Sequence, residues 1–148
     1  MHEMRAAPDG VWLLIAARSE PHWAIVRLGL DGQLQRFIDL TQATQASGLA
    51  ATAQGVATVL QKRGSRHQNF LTEYDFGGGL VSEIAIDCFW VGGLIALGGN
   101  ATTLCPDGTV TRFSKGSPPV KGSSWYHPGS SVVPLSKPPH GDRGPGQR

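Results

Sequence analysis

Residues 47–114 read SGLAATAQGVATVLQKRGSRHQNFLTEYDFGGGLVSEIAIDCFWVGGLIALGGNATTLCPDGTVTRFS. Apolar runs of about 4–8 residues, each bounded by glycine or another turn former, fit short strands better than helices. Gly48 to Ala53 and Val56 to Leu60 make one strand pair around Gln54-Gly55. Phe70, Thr72 and Tyr74 alternate with Leu71, Glu73 and Asp75; Gly77-Gly78-Gly79 breaks the run, and Leu80 to Ile86 resumes it. Cys88 to Leu97, with Phe89 and Trp90, is the most apolar segment, and the glycine pairs around Leu94 to Leu97 mark sharp turns or close backbone approach. Ala101 to Cys105 and Thr109 to Phe113 flank the turn Pro106-Asp107-Gly108.

A looser copy of the pattern lies upstream. Ala7-Pro8-Asp9-Gly10 is a turn, with proline presetting φ and aspartate bonding its own backbone. Val11 to Ala17 is apolar throughout and fits a strand buried on both faces. After the loop at Arg18 to Pro21, Trp23 to Leu30 runs into the hairpin dipeptide Asp31-Gly32, and Leu34 to Asp39 returns. Thr41 to Ser47, rich in Gln, Ala and Thr, is expected to be a connector. From Gly116 onward Pro, Gly and Ser dominate, with Trp125-Tyr126 as the one sticky point. Such a segment buries too little apolar surface to offset chain entropy. The organisation expected is therefore a β-rich domain over 1–114 and a disordered basic tail over 115–148.

Charge follows the same division. Up to Ser114 there are 8 Lys or Arg against 10 Asp or Glu; from Lys115 there are 5 against 1. A mildly acidic body with a basic tail lacks the basic folded face of a nucleic-acid-binding domain, so no nucleic-acid partner is expected. No stretch approaches the ~20 apolar residues of a membrane helix. Val11 to Ala17 is short and lacks the basic lead of a signal peptide, so a soluble cytoplasmic protein is expected. Cys88 and Cys105 permit one disulfide but sit in apolar segments, which favours buried thiols.

Two internal repeats compete. Gly10-Val11, Gly55-Val56 and Asn100-Ala101 recur at a spacing of 45. Leu28 to Phe37 also aligns with Leu104 to Phe113, sharing Leu, Asp, Gly, Arg and Phe at a spacing of 76. The two cannot be one period. Either the last unit has lost a strand pair, or hairpins of different rank share a turn.

Four short strands every ~40–50 residues is the spacing of a propeller blade. With Ala7-Pro8-Asp9-Gly10 before a strand, Leu30-Asp31-Gly32 and Pro106-Asp107-Gly108 at hairpins, and strand starts at Gly48-Leu49 and Gly93-Leu94, the chain resembles the β-propeller superfamily, in the manner of WD-repeat or quinoprotein-like blades. The resemblance implies an all-β fold of repeated antiparallel β-meanders, two to three propeller-like blades in an incomplete ring. A single β-sandwich or barrel is the alternative. An incomplete ring leaves open edges that invite another chain. The chain would then be a piece of a longer protein or join copies of itself.

Chemistry-bearing motifs are sparse. Lys62, Arg63, Arg66 and His67 form the dense basic cluster of the body and the first choice for a binding site, in a loop that charge alone would keep soluble. Asp9, Asp31 and Asp107 stand where turn geometry wants aspartate. His2, His22, His67, His127 and His140 are too dispersed for a zinc site, so neither metal nor other cofactor is expected. Trp12, Trp23 and Trp90 read as packing residues. The function expected is a non-enzymatic interaction scaffold that contacts another protein or copies of itself. A propeller-type lactonase or lyase, or a carbohydrate-binding propeller, is the alternative.

Overall fold

The computed structural model describes residues 2–18, 22–88, 91, 93–113 and 120–121. Phe89, Trp90, Trp125-Tyr126 and most of the expected loop at Arg18 to Pro21 lie outside them, as does nearly all of the tail. Among the described residues, twelve strands form three four-stranded antiparallel sheets, each a simple meander in chain order. The first holds β1 (Glu3–Ala7), β2 (Gly10–Ala16), β3 (Trp23–Gly29) and β4 (Leu34–Asp39). The second holds β5 (Ala43–Ala51), β6 (Gly55–Lys62), β7 (Asn69–Asp75) and β8 (Leu80–Ile86). The third holds β9 (Gly93–Leu97), β10 (Asn100–Leu104), β11 (Val110–Arg112) and β12 (Val120–Lys121). The fold is thus all-β and built of repeated meanders; a single sandwich or closed barrel does not form. Among the described residues no helix is long and apolar enough to cross a membrane.

The spacing of 45 is the period of the sheets. Gly10, Gly55 and Asn100 each open the second strand of a sheet. At the first two the backbone explains the glycine. A Cβ on Gly10 would lie 2.2 Å from the Leu28 carbonyl oxygen, and one on Gly55 would lie 2.2 Å from the Tyr74 carbonyl oxygen. The spacing of 76 compares hairpins of different rank, β3–β4 with β10–β11. Both close the same way: the Gly32 amide donates to the Gly29 carbonyl (2.9 Å), and the Gly108 amide to the Cys105 carbonyl (2.9 Å). The Asp31 carboxylate accepts from the Gln33 amide (3.0 Å) and Asp107 from the Thr109 amide (2.8 Å). One turn chemistry in two places makes the second repeat.

Three expectations need correction. Ala43 to Ser47 is strand, not connector. It pairs with β6 through two register shifts, and the second brackets Gly48 at φ 74. A bulge with glycine in the left-handed region bends a strand without ending it. The sheet also continues past residue 114, since Val120 and Lys121 pair with Arg112 and Thr111 on the free edge of β11. Finally, Cys88 and Cys105 are not free thiols: they form a disulfide, with Cα atoms 5.9 Å apart. The end of β8 and the β10–β11 turn meet there, joining the second sheet to the third.

Side-chain alternation gives each sheet two faces, and facing sheets bury them against each other. Trp12, Leu14, Ile25 and Ile38 of the first sheet meet Leu49, Val56, Leu60 and Tyr74 of the second in one core. Ala57, Val59 and Leu71, on the opposite face of the second sheet, meet Leu94, Ala101, Cys105 and Phe113 of the third in another. Trp12 and Trp23 are packing residues, as expected. Fully burying a side chain of this size contributes about 1.5–3 kcal/mol, so each interface is held by its apolar face. The first strands stand side by side, with β5 packed against both β1 and β9.

Candidate functional site

The four residues expected to bind lie at the end of β6 (Lys62) and in the loop joining it to β7 (Arg63, Arg66 and His67). Arg63, Arg66 and His67 are exposed on it. The Arg63 amide donates to the Gln42 carbonyl (2.8 Å), and His67 takes φ 55. The Ser65 amide and hydroxyl both donate to the Lys62 carbonyl, at 3.1 and 2.9 Å, and close the turn. Lys62 itself turns away from the other three. Its ammonium donates to Glu83 and lies 4.7 Å from the centre of the Phe70 ring. The loop therefore gathers two arginines and a histidine, while the fourth basic residue is half-buried on the sheet.

The aspartates of the turns divide in the same way. Asp31 and Asp107 cap their own hairpins, and the donated Thr109 amide holds the Asp107 carboxyl below its ordinary value. Asp9 does more than shape a turn. Its carboxylate accepts a 2.5 Å hydrogen bond from the guanidinium of Arg27, a buried residue of β3. That guanidinium lies between two rings, 5.2 Å from Trp12 and 5.1 Å from Phe76. No group of three or more His, Cys, Asp or Glu that could hold a metal is found among the described residues.

A groove of about 430 Å³ runs along the first strands. Glu3 and Arg5 line it from β1, Ser47 and Gly48 from β5, and Leu94 and Ile95 from β9. Arg5 and Glu3 pair with each other at 3.0 Å. Gly48 lets β5 come close to β9: a Cβ there would lie 3.0 Å from that of Leu94. The groove thus holds one internal ion pair on an otherwise neutral, partly apolar wall.

Among the described residues, exposed apolar side chains gather on the two outermost sheet faces. Directly opposed residues of neighbouring strands share a face. On the first sheet Met4, Leu13, Val26 and Phe37 form one such row, turned away from the second sheet. Ala6, Val11, Leu28 and Leu34 form the next. Met4, Leu34 and Phe37 are exposed. At the margin of this face His22 pairs with Asp39 at 2.9 Å. The outer face of the third sheet carries Ile95, Leu97 and Leu104, again exposed, with Thr102 and Arg112. Sequence reading passed over both faces, although the alternation that sends Trp12 and Leu14 inward sends Val11 and Leu13 to the opposite side.

Comparison with known proteins adds no family. No family model matches the chain, and no curated protein matches it.

Proposed function

We propose that this protein is a non-enzymatic interaction scaffold of the β-propeller type, whose three sheets are consecutive blades and whose two outermost faces receive another protein. The observation that carries this reading is the pair of apolar faces at the two ends of the row of sheets. Soluble monomers rarely expose contiguous apolar patches beyond a few hundred Å². Met4, Leu34 and Phe37 stand exposed on one of these faces, and Ile95, Leu97 and Leu104 on the other. The Arg63, Arg66 and His67 loop is a second, charged contact beside them.

The alternative enzyme reading needs acidic and histidine side chains converging on the first strands. Glu3 stands there, already paired with Arg5. A cytoplasmic location, expected from the sequence, sits poorly with the bonded Cys88–Cys105 pair, which suits an oxidising compartment.

The test is site-specific photo-crosslinking in cells of the source organism. A benzophenone side chain replaces Phe37 on one outer face or Leu97 on the other. The scaffold reading expects a protein adduct from both positions and none from a control at exposed Leu80, which stands on the middle sheet at the end away from the basic loop. Absence of adducts from both faces overturns it.

A further inference from the structure

We infer that the partner is a second copy of this chain, joined head to tail so that two chains close one six-bladed ring. This rests on the scaffold reading above and names its partner. The first interface inside the chain supplies the template. At the first interface Phe76, in the β7–β8 turn, covers Arg27 of the preceding sheet. Both residues have counterparts at the open ends. Asp75 pairs with Gly55 and Gly29 with Gly10, so the residues that follow them, Phe76 and Leu30, hold the same place in two hairpins. Arg27 pairs with Trp12 and Arg112 with Thr102, each partner lying two residues into the second strand of its sheet. Arg112 is therefore the third sheet's counterpart of Arg27.

Among the described residues neither counterpart is given a match. Arg112 is exposed, and Leu30 is 82% exposed, more than any other large apolar side chain described. Repeating the internal interface once more sets Leu30 of one copy over Arg112 of the other. The same step lays the Phe37 face of one copy on the Leu97 face of the other. A contact between two different faces is heterologous, and such contacts close into a ring or run on into a filament. Propellers close with about 4–8 blades. Three blades per chain reach that range with two copies and overshoot it with three. Closure also continues the groove along the first strands around a complete axis, so the site lined by Glu3 and Arg5 is finished by the partner copy.

The test is sedimentation equilibrium of the purified full chain with three variants. The expected species has twice the mass of the 15.7 kDa chain and dissociates on dilution. Leu30→Glu, Phe37→Asp and Leu97→Asp should each shift it to monomer with unchanged circular dichroism, since all three side chains are exposed within one chain. Mixing Phe37→Asp with Leu97→Asp leaves one intact interface per pair and should restore a weaker dimer. A monomer at the highest soluble concentration overturns the inference. So does a trimer or filament, or a dimer broken by only one of the two face variants. If the chain is monomeric while crosslinks from residues 37 and 97 reach a different protein, the second copy is wrong and the scaffold reading stands. No adduct from either face removes both.

Discussion

The guanidinium of Arg27 lies 5.1 Å from the centre of the Phe76 ring, and the two residues belong to different sheets. Trp12 stacks on the guanidinium from its own sheet, and the Asp9 carboxylate binds it. A buried cation is tolerable only when paired; here the ion pair lies within the first sheet, and the Phe76 ring carries the contact across to the second. Arg27→Lys keeps the charge but loses the planar group that stacks on two rings. It is expected to cost about 1–2 kcal/mol in urea unfolding. Phe76→Ala is expected to cost about as much, and the two changes together less than their sum, because they share one contact. Full additivity would show that the stack does not couple the sheets.

The basic loop separates into one structural residue and an exposed remainder. Lys62 is engaged by Glu83 and Phe70, so Lys62→Ala is expected to lower stability by about 1 kcal/mol. Arg63→Ala and Arg66→Ala together should stay within about 0.5 kcal/mol, as surface changes do. Chemical denaturation of the two variants side by side makes the comparison. Equal losses would mean that the loop packs as a unit.

What could be read from the sequence was local. Asp31-Gly32 and Asp107-Gly108 fix their turns by bonds within a few residues, so those hairpins were legible, and so were the strands beside them. The large apolar area of Trp12 and Trp23 placed them in the core, whereas the run from Val11 to Ala17 hid the alternation that leaves its other face open. Ala43 to Ser47 was missed because polar Gln and Thr residues and two bulges hide the period-two pattern, and the pairing with β6 overrides the weak local preference. Arg27 was missed for a different reason. Its burial depends on Phe76 and Asp9, and nothing in the residues around it reveals partners supplied by a turn of another sheet. Cys88 and Cys105 meet only because the third sheet packs on the second. The basic cluster was legible as a run of charge, but the turning of Lys62 toward Glu83 requires the register of β6, β7 and β8.

The disulfide closes a loop between residues 17 apart in sequence. Constraining a loop of that length in the unfolded chain contributes about 3 kcal/mol. Reduction, or the double change Cys88→Ala with Cys105→Ala, is therefore expected to lower the urea midpoint by a corresponding amount. Amide exchange should rise in β9 to β11 and stay unchanged in β1 to β4, whose packing does not pass through the cross-link. Thiol labelling of the untreated, denatured chain should find no reactive cysteine. Two labelled thiols, with a midpoint insensitive to reductant, would overturn the cross-link.

Tyr74 gives the fold an alkaline limit. Its side chain is buried in the core between the first and second sheets, and its hydroxyl finds no hydrogen-bond partner among the described residues. Burial first, and then the charge of Glu83, pushes the phenol up to about 12 from its ordinary 10.0. The sign follows from the protons each state holds. Above pH 10 the unfolded chain releases the phenolic proton while the folded chain keeps it, so stability falls as pH rises through the window from 10 to 12. A shift of this size corresponds to at most about 3 kcal/mol. Below pH 10 both states are protonated and Tyr74 adds no pH dependence. Tyr74→Phe removes an unsatisfied buried hydroxyl and is expected to be neutral or stabilising at pH 7. It should also flatten the alkaline arm of the stability profile relative to the parent chain, measured by urea unfolding between pH 8 and pH 12. A parallel decline in both proteins would assign the alkaline limit to other groups.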